Sequence, residues 1–336
     1  MVPPDRCFGS TKIAYFVVTA ISSLWVVACS APRRTVIAVI PQTDGTMLWQ
    51  PAHVGAETAV RGSGLSIYWN APAREDDVEA QIDLVERAID RRVAGLVLVP
   101  DQALSLISPV RRSLAHGIQV VIIGSPLPIP AGNNLSYILN DDVAAGHMAA
   151  QRLDVLLHGR GTVAVLGIDP DFMGIMIRER SFEEYLAQHD PGIHVVDREM
   201  GSFNFPQQQQ IAQTTLRSHR DLGAIVALMS PSVDGALAAL ASMHVRQSVK
   251  VIGFDVSGWP LFDRNLNLDC VIQENTRLMG QKAVEIIEAA RQHRPVPTQG
   301  ILPSVMITRR SSDAAEVRWL FSQDWTLGRS KWSAQQ

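Results

Sequence analysis

The sequence predicts an α/β protein made of two doubly wound, Rossmann-like parallel-sheet domains with a ligand cleft between them. Short β-branched runs alternate with longer segments whose apolar residues recur at helical spacing. Near-continuous apolar strands separated by helices are typical of parallel sheets covered on both faces. The alternation stops at a proline- and glycine-rich stretch, residues 125–134, and then resumes. A chain of 336 residues is also too long for one simple core, so two domains are expected.

The first half supplies the elements of one such domain. Helix 75–91 shows the helical pattern most clearly, because Val78, Ile82, Val85 and Ile89 form one apolar stripe. The predicted strands are residues 35–40, 65–69, 95–99 and 120–123, and the other predicted helices are residues 51–61 and 103–116.

The second half repeats this rhythm and then adds a few late elements. Its predicted helices are residues 142–158, 178–188, 206–218 and 232–243, and its predicted strands are residues 162–167, 194–200, 224–228 and 249–254. Strand 269–273, helix 277–292 and one strand around residues 301–308 follow. Periodicity alone leaves open whether the two domains are contiguous or interleaved.

The N-terminal segment has the features of a secretory signal. Arg6 and Lys12 precede an uncharged apolar run, residues 13–28, which ends in Val26-Val27-Ala28 before Cys29. This ending resembles the lipobox of bacterial lipoproteins, which predicts a signal peptide over residues 1–28 and lipidation of Cys29. The mature chain is then extracytoplasmic, in the periplasm or on the cell surface, and held to a membrane by lipid. A transmembrane anchor is the alternative, although the run is shorter than the roughly 20 apolar residues that cross a bilayer.

Composition and charge exclude several kinds of partner. A net charge of −3 and scattered arginine pairs give no field for polyanions, so nucleic acid is not expected as a partner. Of the three cysteines, Cys7 leaves with the signal and Cys29 is lipidated. Cys270 is then expected to pack as a small buried apolar residue, and it leaves no intrachain disulfide or cysteine-based metal site.

No catalytic constellation is found in the sequence. It lacks the G-x-S-x-G elbow, the Walker loop, His-Glu-x-x-His and a G-x-G-x-x-G turn that opens a helix. The histidines have no ligand spacing. The carboxylate pairs Asp76-Asp77 and Asp141-Asp142 stand at predicted helix starts, where capping explains them. No catalytic residue, metal or cofactor is therefore expected.

Five short patterns between residues 36 and 290 carry a family resemblance. They are Leu48-Trp49-Gln50 before Gly55-Ala56-Glu57, Asn140-Asp141-Asp142 with Gly146, Arg178-Glu179-Arg180 with Phe182, Ile252-Gly253-Phe254-Asp255, and Val271-Ile272-Gln273. On these the chain resembles type I periplasmic solute-binding proteins of the ribose- and galactose-binding kind, whose domains also form the core of LacI-type repressors.

The resemblance implies the periplasmic binding protein type I fold. Two lobes joined by three hinge crossings close on a small ligand, usually a sugar. For this chain it implies an N-terminal lobe of residues 35–138 plus 274–295. The C-terminal lobe is then residues 139–273 plus 296–325.

The resemblance also implies ligand contacts. Leu48 and Trp49 match the residues that cover a sugar face, and Phe203 matches a further aromatic contact; core and loop packing are the alternatives. Arg178 matches a donor to sugar oxygens, with a surface ion pair to Glu183 as the alternative. Asp255 matches an acceptor of hydroxyl hydrogen bonds, with helix capping as the alternative, and Gln273 at a hinge crossing can donate and accept. The additional candidates are Asp44, Ser125, Asn140 and Ser230.

Two departures from the family pattern bear on the ligand. Gly124-Ser125 replaces the family's Asp-Arg, and Met229-Ser230 replaces its Asn-Asp. Fewer charged and amide groups then face the ligand, so we expect a small hydroxylated ligand other than ribose.

The sequence therefore predicts a monomeric, lipid-anchored solute-binding protein that delivers a small ligand, a sugar, to the permease of an ABC transporter, with no reaction. A sensor for a membrane receptor or kinase is one alternative. A LacI-type repressor would need a helix-turn-helix module before Thr35, where the signal lies. An exported enzyme on the same fold would turn its ligand over.

Overall fold

The computed structural model describes residues 35–44, 47–74, 76–245, 249–258, 262–263 and 265–322. The predicted signal peptide and Cys29 lie outside these residues. Within the described part of the chain, no helix has the length and apolar character needed to cross a membrane.

The first sheet has the order β11-β5-β4-β3-β1-β2, and its described strand pairs are all parallel. Buried β-branched and leucine side chains dominate its central strands, which helices cover. Its elements are β1 (Thr35–Ile40), α1 (Gln50–Ala59), β2 (Leu65–Trp69), α2 (Val78–Asp90), β3 (Gly95–Leu98), α3 (Ile107–Ala115), β4 (Gln119–Gly124), β5 (Leu135–Asn140), α8 (Thr276–Arg291) and β11 (Gln299–Leu302).

The second sheet has the order β12-β10-β9-β8-β6-β7 and is parallel except at one edge, where β12 runs antiparallel to β10. Its elements are α4 (Asp142–Leu157), β6 (Gly161–Ile168), α5 (Met173–His189), β7 (Ile193–Met200), α6 (Phe205–Ser218), β8 (Ala224–Ala227), α7 (Ser230–Ser242), β9 (Lys250–Phe254), β10 (Leu268–Gln273) and β12 (Val305–Thr308). We call each sheet with its packed helices a lobe.

Over the described residues the chain passes three times between the lobes. The first crossing follows β5 and the second follows β10, after which α8 packs against α1 and β4. The third is the pair Pro303-Ser304 between β11 and β12. The domain division predicted from the sequence stays a prediction. The strand expected over 301–308 is two strands, and β11 pairs with β5 of the first lobe. Pro303, which cannot donate to a ladder, separates them.

Two further elements differ from the sequence-based prediction. β5 was not predicted, because it directly follows the proline- and glycine-rich stretch. Helix α5 begins at Met173, not at residue 178, so one and a half additional turns precede Arg178. Residues 135–140 and 173–177, which periodicity alone assigned to loops, therefore belong to a strand and a helix that end at the cleft.

Glycines allow two pairs of helices to pack closely. A Cβ on Gly55 of α1 would overlap the carbonyl oxygen of Arg277 in α8, and one on Gly280 would overlap Ala52 in return. In the second lobe, a Cβ on Gly146 of α4 would overlap the Arg178 carbonyl in α5. Because backbone lies opposite each glycine, any side chain there must push a helix away.

The C-terminal segment docks on the first lobe. Helix α9 (Ala315–Phe321) buries Trp319 and Leu320. Arg277 lies over the Trp319 ring, 4.9 Å from its centroid, and donates to the carbonyl oxygen of Ser322 at 2.8 Å. These contacts hold the C-terminal segment against α8 as far as Ser322.

Candidate functional site

A cavity lies between the carboxyl ends of the strands of the two lobes, where ligands bind to open parallel sheets. Seven of the ten predicted ligand residues line it, namely Leu48, Trp49, Ser125, Arg178, Phe203, Ser230 and Asp255. The other lining residues are Gln42, Thr43, Val99, Gly124, Phe172, Gly174, Ile175, Leu228, Met229, Pro231, Ser257 and Glu274.

Trp49 forms the aromatic wall of the first lobe at the start of α1. It is only 4% exposed, so it packs in the core and lines the cavity at once. Its Nε1 donates to the Gln42 Oε1 at 3.1 Å, and the Gln42 Nε2 donates to the Pro100 carbonyl at 3.1 Å. These bonds fix the indole plane. Gly124, with φ of +77°, leaves room for the ring.

The second lobe supplies an apolar wall. Phe172 and Phe203 meet edge to face, with ring centroids 5.8 Å apart. Phe172 stands at the N-terminus of α5 and is 7% exposed. Ile175 and Met229 extend the same surface. An apolar ligand face therefore meets aromatic or aliphatic groups on both sides.

Arg178 is buried at 2% exposure, which rules out the surface-pair alternative. All five N–H groups of its guanidinium donate to the protein. Nε and Nη2 donate to the Asp142 Oδ1, Nη1 donates to the Leu228 carbonyl and to Asp255, and Nη2 also donates to Glu274. A ligand oxygen can accept from Arg178 only by displacing one of these acceptors.

Three carboxyl groups therefore share one guanidinium. Asp142 opens α4, Asp255 follows β9, and Glu274 follows β10. Burial raises the pKa of Asp142 and raises that of Glu274 well above its ordinary value. Burial alone would lower the pKa of Arg178, but Asp255 and the other carboxylates raise it well above its ordinary value. The like charges nearby add to the rise in the pKa of Asp142 and of Glu274.

At the second crossing the cavity-lining residue is Glu274, and Gln273 does not line the cavity. Gln273 is buried, and its Oε1 has no hydrogen-bond partner. The Glu274 N–H donates to the Asp255 Oδ1 at 3.0 Å. The structure therefore places Glu274 in the cavity lining, and not the predicted ligand residue Gln273.

Asn140 connects two crossings instead of lining the cavity. Its Nδ2 donates to the Asp142 Oδ1 at 2.8 Å, and its Oδ1 accepts from the Ser304 Oγ at 2.7 Å. Since Asp142 binds Arg178, the first and third crossings reach the site through one chain of hydrogen bonds. Asn140 thus positions the hinge.

Two serines line the cavity in different ways. The Ser125 Oγ is buried and has no partner, so it is a polar group available to a ligand. Ser230 is engaged, because its Oγ lies 2.8 Å from the Ser257 Oγ and accepts from the Ser257 N–H. Asp44 is exposed and outside the lining, where it accepts from the Trp69 Nε1 at 3.1 Å.

The mouth of the cleft is acidic. Asp101, after β3, is buried with an unpartnered Oδ2. Burial, and then the charges of Asp76, Asp169 and Asp171, raise its pKa to about 7. Asp169 and Asp171 belong to the second lobe, and the Gln102 Nε2 donates across the cleft to the Asp171 Oδ2 at 3.3 Å.

Cys270 is buried, as predicted, and burial raises the pKa of its thiol. In the described ranges, histidine, cysteine and acidic side chains form no group of three or more that could hold a metal ion.

Sequence reasoning missed Phe172 and Glu274. Phe172 follows Asp169-Pro170-Asp171, which is typical of a loop, and only the early start of α5 brings it to the cavity. Glu274 directly follows Gln273, and strand register decides which of the two side chains faces the cavity. An acid immediately after a buried strand was the available signal.

The described chain forms two doubly wound lobes joined by three crossings, with a polar and aromatic cavity between their carboxyl edges. This architecture is that of a two-lobed binding protein of the periplasmic binding protein type I fold. The chain belongs to the periplasmic binding protein domain family, whose sequence profile matches residues 37–294. Binding proteins make up this family, and they work outside the cytoplasm.

Known relatives are similar over most of the described chain. The D-apiose import binding protein of Paraburkholderia graminis is 25% identical over 237 residues, which cover 70% of this chain and 74% of the relative. The D-ribose/D-allose-binding protein of Pseudomonas aeruginosa is 24% identical over 259 residues, 74% of this chain and 81% of the relative. Among solved structures, a carbohydrate transporter solute-binding protein from Agrobacterium radiobacter in complex with D-arabinose matches with a TM-score of 0.79 and 18% identity, covering 87% of this chain and all of that chain.

Proposed function

We propose that this protein captures a small sugar between its lobes and delivers it to an ABC importer. One observation carries the proposal: the cavity combines the Trp49 face with the unpartnered Ser125 hydroxyl and the acids Asp255 and Glu274. An aromatic face suits the C–H surface of a sugar ring, and these polar groups suit its hydroxyls. The relatives named for D-apiose and for D-ribose or D-allose support the same class of ligand.

Binding does its work here by favouring the closed arrangement of the lobes. The lining belongs to both lobes, so a ligand touches all of it only when the cleft shuts. A ligand shifts such an equilibrium by its difference in affinity for the two states. The protein presents the closed form to the permease and carries out no reaction.

The test is a thermal-shift and calorimetric screen of D-apiose, D-ribose, D-allose and D-arabinose. We expect at least one sugar to raise the melting temperature. Ser125→Ala should weaken its binding roughly five- to tenfold, the loss of about one hydrogen bond. Ser113→Ala is the matched control, because Ser113 is also buried but bonds within α3 and does not line the cavity. Absence of binding by all four sugars, or conversion of a bound sugar to product, would contradict the proposal.

The same proposal includes a lipid anchor at Cys29 and a monomeric state. Labelled palmitate should enter the wild-type protein and not Cys29→Ser, and light scattering of the mature chain should give the monomer mass. Label in the variant, or a dimer mass, would overturn these two points without affecting the sugar site.

A further inference from the structure

The three carboxyl groups around Arg178 are not equivalent in their hydrogen bonds. The Asp142 Oδ1 accepts from the Arg178 Nε and Nη2 and from the Asn140 Nδ2. Asp255 accepts from the Arg178 Nη1 at 2.5 Å and from the Glu274 N–H at 3.0 Å. Glu274 accepts one bond, from the Arg178 Nη2 at 2.8 Å. A carboxylate is stabilised by the donors it accepts from, so the ionised form is least supported at Glu274.

The charge balance of the site points the same way. Arg178 offers one positive charge to three acids, and no other basic side chain of the described residues lines the cavity. The first-lobe lining, Gln42 to Ser125, contributes no titratable group, so the charged groups facing Glu274 are Arg178 of α5, Asp142 of α4 and Asp255 after β9. Buried charge without a partner is costly. A proton on one acid lowers that cost, and burial raises the pKa of Glu274 well above its ordinary value.

The free oxygen of Glu274 is placed to meet a ligand. Glu274 lines the cavity, and its side chain is 13% exposed. Its Oε1 faces Arg178, whereas no described residue bonds its Oε2. A protonated Oε2 would be a hydrogen-bond donor at the second crossing, in the lining of the cavity.

We propose that Glu274 is the ligand-contacting residue of the second crossing, and that it acts as a neutral carboxylic acid whose O–H donates to a ligand oxygen. The inference rests on the proposed function and names the recognition chemistry of that site. The ligand atom that accepts this hydrogen bond is a sugar ring oxygen, a carbonyl oxygen or a hydroxyl oxygen. An ammonium group is excluded there, because it would require the ionised form.

The protonation state is tested without any sugar. The infrared difference spectrum between the ligand-free wild type and Glu274→Gln at pH 7 should show the loss of a carboxylic acid C=O band. Glu79→Gln, at the exposed start of α2, is the matched control and should remove a carboxylate band instead. Loss of a carboxylate band in Glu274→Gln would overturn the inference.

The contact is tested with the sugar found in the calorimetric screen. Glu274→Gln keeps an oxygen for Arg178 and an N–H donor for the ligand, so its affinity should stay within about threefold of the wild type. Glu274→Leu should lose roughly tenfold or more. Melting temperatures of both variants verify folding. Equal losses in both variants, or weaker binding in Gln273→Leu than in Glu274→Leu, would refute the contact. If no sugar binds, the proposed function fails, while the infrared result still decides the state of Glu274.

Discussion

Gly124 holds its backbone at φ of +77° directly against the Trp49 indole, and a Cβ at this position would lie 2.9 Å from the Trp49 Cη2. The glycine at the end of β4 is therefore a condition for the aromatic wall of the cavity. This gives a physical reason for the Gly124-Ser125 pair that departs from the family's charged pattern.

Gly124→Ala should therefore reduce both stability and ligand affinity. A residue with a Cβ disfavours the left-handed backbone, which should lower the free energy of unfolding by about 1–2 kcal/mol. The new methyl group would also displace Trp49. Gly117→Ala is the control, since Gly117 has φ of +75° but nothing within 4 Å of a Cβ. Urea unfolding should show a loss in both variants, whereas calorimetry should show weaker sugar binding only in Gly124→Ala. Equal affinities in the two variants would contradict the role of the ring.

The buried Arg178 should be far more important to stability than its neighbour on the same helix. Arg178→Met leaves three buried acids without their cation, which should cost about 3–5 kcal/mol in the free energy of unfolding. Arg180→Met breaks an exposed pair with Glu184, and solvent screens such pairs so strongly that they add little to stability. Urea titrations at pH 7 measure both. A loss in Arg178→Met no greater than in Arg180→Met would show that the cluster does not depend on the guanidinium.

Asp101 should make stability depend on pH. Its pKa is about 7 in the folded protein, against an ordinary value of 3.8, so the folded state holds the proton more tightly than the unfolded state. Its contribution to stability is therefore fully present below pH 3.8 and is lost as the pH rises to about 7. Melting temperatures of Asp101→Asn should fall less steeply with pH over this window than those of the wild type.

The control for this pH effect is Asp83→Asn, on the exposed side of α2, which should keep the slope of the wild type. A wild-type slope in Asp101→Asn would mean that the other acids at the cleft mouth, and not Asp101, take up the proton.

Gly55→Ala should separate α1 from α8. The new Cβ would meet the Arg277 carbonyl, which is backbone and cannot rotate away, so a loss of about 1–3 kcal/mol in unfolding free energy is expected. Gly132→Ala, where a Cβ has nothing within 4 Å, is the matched control and should be within about 0.5 kcal/mol of the wild type. Chemical denaturation compares the two. An unchanged free energy of unfolding in Gly55→Ala would show that α1 and α8 can move apart without loss of stability.

The sequence predicted those parts of the fold that depend on local periodicity. The alternation of apolar strands and amphipathic helices is a property of neighbouring residues, and it located most elements to within a few positions. It could not tell which sheet a strand joins, so β11 and β12 were merged into one strand. Pairing depends on partners more than a hundred residues away, such as Tyr137 opposite Gln299.

Long-range contacts likewise decide the site residues. The acceptors of Arg178 at Asp142, Asp255 and Glu274 are 36, 77 and 96 positions away, and no local pattern shows that they converge. Trp49 and Asp255 could be expected because they follow recognisable motifs. The family resemblance pointed to Gln273. Adjacent side chains near a strand end point to opposite sides, so whether Gln273 or Glu274 faces the cavity depends on strand register.

The Pro303-Ser304 connection has a consequence for how this protein can be recombined. Because the chain returns to the second sheet there, each lobe is encoded by two separated stretches of the gene. Exchanging the continuous DNA segment from α4 to β10 with a relative would give a chimera whose second sheet takes β12 from the other parent. A protease cut at one crossing would still leave the two halves tied by the others.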